Sequence, residues 1–93
     1  MKLYYTGRAK DDLVSAFEWY EKQRRGLGFE FLDCVEIATT EILTFPEMYQ
    51  LCYSNFRRNV IRRFPFSIFY TIEKQRLIIH SVFDNRQNPE KRP

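Results

Sequence analysis

From Phe56 to Phe83 the chain alternates apolar and polar positions in three runs separated by turn signals. Arg57–Arg63 is the first run and stops at Pro65, which has no amide hydrogen to give a sheet ladder. Phe66–Ile72, dense in aromatic and β-branched residues, is the second. Leu77–Phe83 follows the polar turn Glu73-Lys74-Gln75-Arg76 and is the third. A period of two puts Phe66, Ile68, Tyr70 and Ile72 on one face and Ser67, Phe69 and Thr71 on the other. It likewise divides Leu77, Ile79, Ser81 and Phe83 from Ile78, His80 and Val82. Both faces carry apolar groups, so a face left uncovered would mark a partner.

The upstream half changes period. Met1–Tyr5 suits a strand that joins the later sheet. Thr6 then caps a helix whose Ala9, Leu13, Ala16, Phe17 and Tyr20 form one apolar stripe, with Trp19 off it. Gly26 suits a left-handed cap at the end of that helix. A second helix runs from Phe29 to Thr44, with Phe31, Val35, Ala38, Ile42 and Phe45 inward, and Pro46 closes it. Glu47–Asn55 forms a short edge strand or an irregular lead-in. The order βααβ(β)ββ predicts an α+β domain over residues 1–83: an N-terminal strand and a two-helix antiparallel hairpin on one face of a small antiparallel sheet. Residues 84–93 are expected to form a polar tail that lies over the sheet end or is partly disordered.

Composition narrows the class. Ninety-three residues make one domain, and no apolar run approaches the roughly 20 residues of a membrane span. The start MKLYYTGRAK lacks the apolar middle of a signal peptide, so a cytosolic protein is expected. Cys34 and Cys52 match neither a zinc spacing nor a disulfide framework, and no metal or cofactor is called for. Gly26-Leu27-Gly28 has neither the preceding strand nor the third glycine of a phosphate loop. Charge is uneven: residues 1–55 carry six Lys/Arg and nine Asp/Glu, a balance of −3, and residues 56–93 carry nine and three, a balance of +6. The second half therefore suits an anionic partner, or arginines that solvate an aromatic sheet.

Five stretches in register carry a resemblance: WYE at Trp19–Glu21, GLGFEF at Gly26–Phe31, FPEMY at Phe45–Tyr49, RRFPFSIFY at Arg62–Tyr70 and SVFDNRQNP at Ser81–Pro89. Together they resemble the RelE/ParE superfamily of toxins from type II toxin–antitoxin pairs, in its ParE-like "plasmid stabilization" branch. The resemblance spans nearly the whole chain. It implies two helices on an antiparallel sheet, and an antitoxin whose extended, partly helical segment wraps the toxin. RelE-like members cut messenger RNA in the ribosome; ParE-like members poison DNA gyrase without known chemistry.

RNA cleavage needs a base, an acid and cations for the charged phosphorane. The resemblance puts Arg62, Arg63 and Arg86 near the family's basic positions, but no lysine lies between Lys22 and Lys74, and no tyrosine or histidine follows Phe83. His80 sits within a strand, Asp84 stands where many relatives have a histidine, and Glu47 is the remaining candidate base. These leave Arg62, Arg63, His80, Asp84 and Arg86 as the catalytic candidates. Binding asks for less. Alternation sends two of Arg57, Arg58, Arg62 and Arg63 to each side of a strand; with Arg86 they could hold an antitoxin, a nucleic-acid backbone or a gyrase surface, or salt-bridge to Glu36 or Glu41. Trp19 and Tyr20 are the aromatic candidates for antitoxin contact. The sequence thus predicts a ParE-like toxin acting on gyrase, with a ribosome-dependent mRNA endonuclease or a non-toxic antitoxin-binding module as alternatives.

Overall fold

A computed structural model describes residues 1–93. Strand β1 (Lys2–Tyr5) leads into helix α1 (Gly7–Gln23), which turns back as α2 (Leu27–Thr44). Then come β2 (Leu51–Tyr53), β3 (Phe56–Val60), β4 (Phe66–Glu73), β5 (Arg76–Asp84) and a 3₁₀ turn at Pro89–Lys91. The strands make one sheet in the order β1-β5-β4-β3-β2. The sheet is mixed, because β1 runs parallel to β5, with Lys2–Tyr5 opposite Arg76–Ile79.

The helices form for the reasons their stripes give. Thr6 accepts the Ala9 amide hydrogen at 3.1 Å, and its hydroxyl donates to the His80 carbonyl at 3.1 Å, fixing the start of α1 to β5. Ala9, Ala16 and Tyr20 are buried, with Leu13 and Phe17 half-buried beside them. Gly26 is left-handed (φ 89°), but as the N-cap of α2 rather than the C-cap of α1, so α2 begins two residues before Phe29. A glycine cap has no side chain to offer. Glu21 takes over from α1, accepting from the Gly26 amide at 3.2 Å and the Gly28 amide at 2.7 Å. Phe31, Val35, Ala38 and Ile42 are buried as the stripe predicts. Phe45, predicted inward, is the C-cap with φ −135° and stands 58% exposed, since the helix that would have aimed it has ended.

Phe31 is the joint between layers. Its ring lies 5.4 Å from Tyr20 of α1, 5.3 Å from Phe64 and 4.9 Å from Phe66 of β4. Around these four rings the core takes in Ile68, Tyr70, Leu77, Ile79 and Val82 from the sheet.

Two departures from strict alternation shape the sheet. β3 ends at Val60, three residues short of the predicted Arg63. The chain there makes a tight loop in which the Ile61 amide bonds the Phe66 carbonyl at 3.0 Å and Arg63 is left-handed (φ 71°). Arg62 and Arg63 are therefore loop residues and do not alternate across a strand. In β5, Tyr70 pairs with Ile79 but Phe69 pairs with Ser81, so His80 is an extra residue in a bulge. The bulge rephases the strand: Val82 joins the core and Phe83 goes to the far face beside Phe69, the reverse of what a period of two predicts. Asp12 of α1 holds the bulge, accepting from the Ser81 hydroxyl at 2.7 Å and the Val82 amide at 3.0 Å.

The sheet face away from the helices is not left bare. The chain after β5 folds across it, and Arg92 lies over Phe69 and Phe83, which are 0% and 4% exposed.

Candidate functional site

Each arginine singled out by the sequence has its own neighbourhood. Arg57 sits in β3 opposite Tyr70. Its guanidinium donates to the Glu47 carbonyl at 2.9 Å and the Tyr49 carbonyl at 2.7 Å. The Tyr70 hydroxyl donates to the Pro46 carbonyl at 2.6 Å, and burial pushes its pKa up to about 12. Both side chains thus pin the 46–49 turn to the sheet. Arg58, the next residue, faces the other way and donates to the Ser67 hydroxyl at 2.8 Å and to Asn85 at 3.2 Å.

Arg62 is exposed and unpaired; Arg63 is tied to Glu30 of α2 at 2.8 Å. Arg24 reaches the other oxygen of the same carboxylate at 2.9 Å, and these two bonds hold the Glu30 carboxyl below the usual range. The Glu36 and Glu41 pairs that the sequence offered do not form. Val60, Ile61, Arg62 and Arg63 wall one side of a groove of about 510 Å³, with Cys34 and Ile37 of α2 opposite.

A second groove, of about 400 Å³, lies between α1 and the end of β5. Trp19, 52% exposed, lines it with Arg8, Phe83, Asp84 and Arg86. Arg86 grips Asp84 through Nε at 2.9 Å and Nη2 at 2.8 Å, and this bidentate bond lowers the Asp84 pKa. The guanidinium also stands beside the Tyr20 hydroxyl, whose ring is in the core and only 8% exposed. Trp19 and Arg86, chosen from distant parts of the sequence for different reasons, meet here.

His80 belongs to neither groove. Its Nε2 lies 2.8 Å from the Thr71 hydroxyl and its ring 4.9 Å from Phe56, on the sheet face away from the helices. Burial lowers its pKa from the ordinary value of 6.5. The unfolded chain then binds the proton more readily than the folded one. The His80 contribution is therefore full above pH 6.5 and is lost as pH falls through the lowered folded value. The urea midpoint is expected to drop with acid through this window, and to drop less in His80→Gln; parallel curves for the two proteins would remove His80 as the cause. Glu47 is exposed and takes part only through its backbone carbonyl.

Two participants escaped sequence reading. Glu30 had no apparent partner until the chain folded, and Asp12 looked like one more exposed helix carboxylate. Asp12 carries no local signal, because its partners lie 69 and 70 residues away; Glu30 has Arg24 six residues before it, but its second partner, Arg63, lies 33 residues on.

The family described as "ParE toxin of type II toxin-antitoxin system, parDE" matches residues 3–89. Among solved structures, "Chromosomal ParDE TA system from P. aeruginosa" is similar in fold, with a TM-score of 0.81 over 90% of this chain and 95% of that one at 15% identity. No curated protein matches the sequence. No helix is long and apolar enough to cross a membrane.

Proposed function

The chain belongs to the ParE toxin family of type II toxin–antitoxin systems, and from that premise we propose that it acts in the cytoplasm by binding and poisoning DNA gyrase, and that a cognate antitoxin silences it in a hetero-oligomeric complex. The observation that carries this reading is the separation of the groups an RNA-cleaving centre must bring within hydrogen-bond reach. His80 bonds Thr71 on the far face of the sheet, Arg63 is tied to Glu30 beside α2, and Asp84 and Arg86 hold each other beside α1. No base–acid pair stands over a shared phosphate position. A binding surface needs none. Trp19, exposed at the rim of the α1 groove, suits an antitoxin anchor, and Arg86 with the exposed loop arginines Arg62 and Arg63 suits target contact.

The test is purified protein in two assays: gyrase supercoiling with DNA cleavage, and message cleavage on translating ribosomes. Trapped gyrase–DNA breaks with intact message are expected, weakened in Arg86→Gln. Codon-positioned message cuts with unaffected gyrase would replace this reading with the nuclease one. Silence of folded protein in both would leave an antitoxin-binding module without toxicity.

A further inference from the structure

Three guanidinium groups gather on and beside the sheet face away from the helices, and none has a carboxylate partner. Arg58 donates only to the neutral Ser67 and Asn85 side chains. Arg8, in the first turn of α1, donates to the main-chain carbonyl of Lys91. Arg92 lies with its guanidinium carbon 5.5 Å from the centroid of Phe69 and 5.9 Å from that of Phe83; Arg58 stands 5.9 Å from the same Phe69 ring. Burial pushes the Tyr53 phenol up, and the charges of Arg92 and Arg8 pull it back. The ion pairs of the molecule are elsewhere, at Glu30 and at Asp84.

One atom in this cluster is out of keeping with a finished core. The Arg92 Nε–H is buried and has no acceptor, and it is the single buried side-chain polar atom so left. Native structures seldom leave such a donor orphaned. A guanidinium has five donors and no acceptor, so what the cluster lacks is a group with several anionic oxygens.

We propose that this face binds a phosphate of a nucleic-acid backbone, gripped by Arg8, Arg58 and Arg92. A phosphodiester offers two unesterified oxygens to planar guanidinium forks. The neighbouring rings favour a polynucleotide over an acidic peptide: Tyr53 lies 5.2 Å from Phe56, and Phe56 4.9 Å from His80, on the same face. Such rings can stack on bases that follow a bound backbone. The 3₁₀ turn just before Arg92 is exposed and is fastened by the Arg8 bond to Lys91. Phosphate capture by Arg8 releases that fastening and frees the Arg92 donor to turn onto the same anion.

The proposal does not rest on the gyrase reading, since it is tested with no gyrase present. A short fluorescein-labelled DNA duplex with a single-stranded overhang, whose unpaired bases are free to stack, is titrated with the full chain and followed by anisotropy at several salt concentrations. The double variant Arg8→Gln/Arg92→Gln is expected to bind about tenfold or more weakly, and its slope of log affinity on log salt to be shallower by roughly 0.9 for each arginine removed. The charge-matched Arg25→Gln/Arg76→Gln, on exposed arginines away from the cluster, should keep the wild-type slope. Equal weakening of both variants would mean net charge alone, and would overturn the proposal. The NMR shifts of the unmutated chain give a second reading that no folding defect can disturb. The duplex should move the side-chain resonances of Arg8, Arg58 and Arg92; movement confined to Arg62 and Arg63 would overturn it. Inorganic phosphate that shifts the Arg92 Nε–H while the duplex fails to bind would overturn the assignment to a polynucleotide.

Discussion

Replacing Phe31 by alanine is expected to destabilise the protein by about 3–5 kcal/mol, the range for truncating a fully buried ring. A domain of this size has about 5–14 kcal/mol in all, so the loss takes away a large share of its margin. The ring is 0% exposed and touches all three parts that must come together: Tyr20 from α1, Phe64 from the tight loop and Phe66 from β4. Each edge or stacked contact adds roughly 0.5–1.5 kcal/mol beyond the area it buries. Three rings cannot all collapse into the space of one, because they are anchored on different elements. Urea unfolding measures the change, and the midpoint should fall with little change in slope. A loss below about 1 kcal/mol, typical of a surface change, would show that Phe31 is not the joint described here.

Gly28→Ala is expected to cost about 1–3 kcal/mol, as overpacking does, although alanine is ordinarily the better helix former. A Cβ there would meet the Phe17 backbone oxygen at 2.8 Å, Phe17 Cδ1 at 2.8 Å and Glu21 Cγ at 2.7 Å. Side chains can swing aside; the carbonyl can retreat only if the two helices part. Parting them lengthens the 2.7 Å bond by which Glu21 caps α2. The control is Gly7→Ala, where nothing lies within 4 Å of the added carbon. That change should be neutral or stabilising by up to about 1 kcal/mol. Thermal unfolding of the pair separates close helix approach from any general effect of glycine, and equal midpoints would discard the packing explanation.

The architecture was legible because its patterns are local. The helical stripes from Ala9 to Tyr20 and from Phe31 to Ile42 match the structure, and the turn read at Glu73–Arg76 is there but tighter, at Lys74–Gln75, with Glu73 and Arg76 in the strands. What failed was alternation carried across an irregularity. A single extra residue at His80 exchanges the faces of Val82 and Phe83, and no composition signal announces a bulge held by Asp12 from another element. The arginines failed in the same way. Read as a row, they are dispersed by one left-handed residue, Arg63, and by the loop around it. Neither groove was legible: Trp19 and Arg86 stand out separately in the sequence, and only the folded chain brings them together. A tail over the sheet end was expected, but nothing in it singled out Arg92 as the residue that lies on two phenylalanines.

The parallel pairing of β1 with β5 has a consequence for how the protein is made. Lys2–Tyr5 are translated 74 residues ahead of their sheet partners, Arg76–Ile79. While the chain emerges, the helical hairpin can form, but its apolar side has no sheet to rest on until β4 and β5 have been synthesised. The nascent chain therefore passes through a long interval as an incomplete fold with greasy helices and an unpaired first strand. The sheet closes only once β5 has been made, since β5 is the strand that joins β1 to β4.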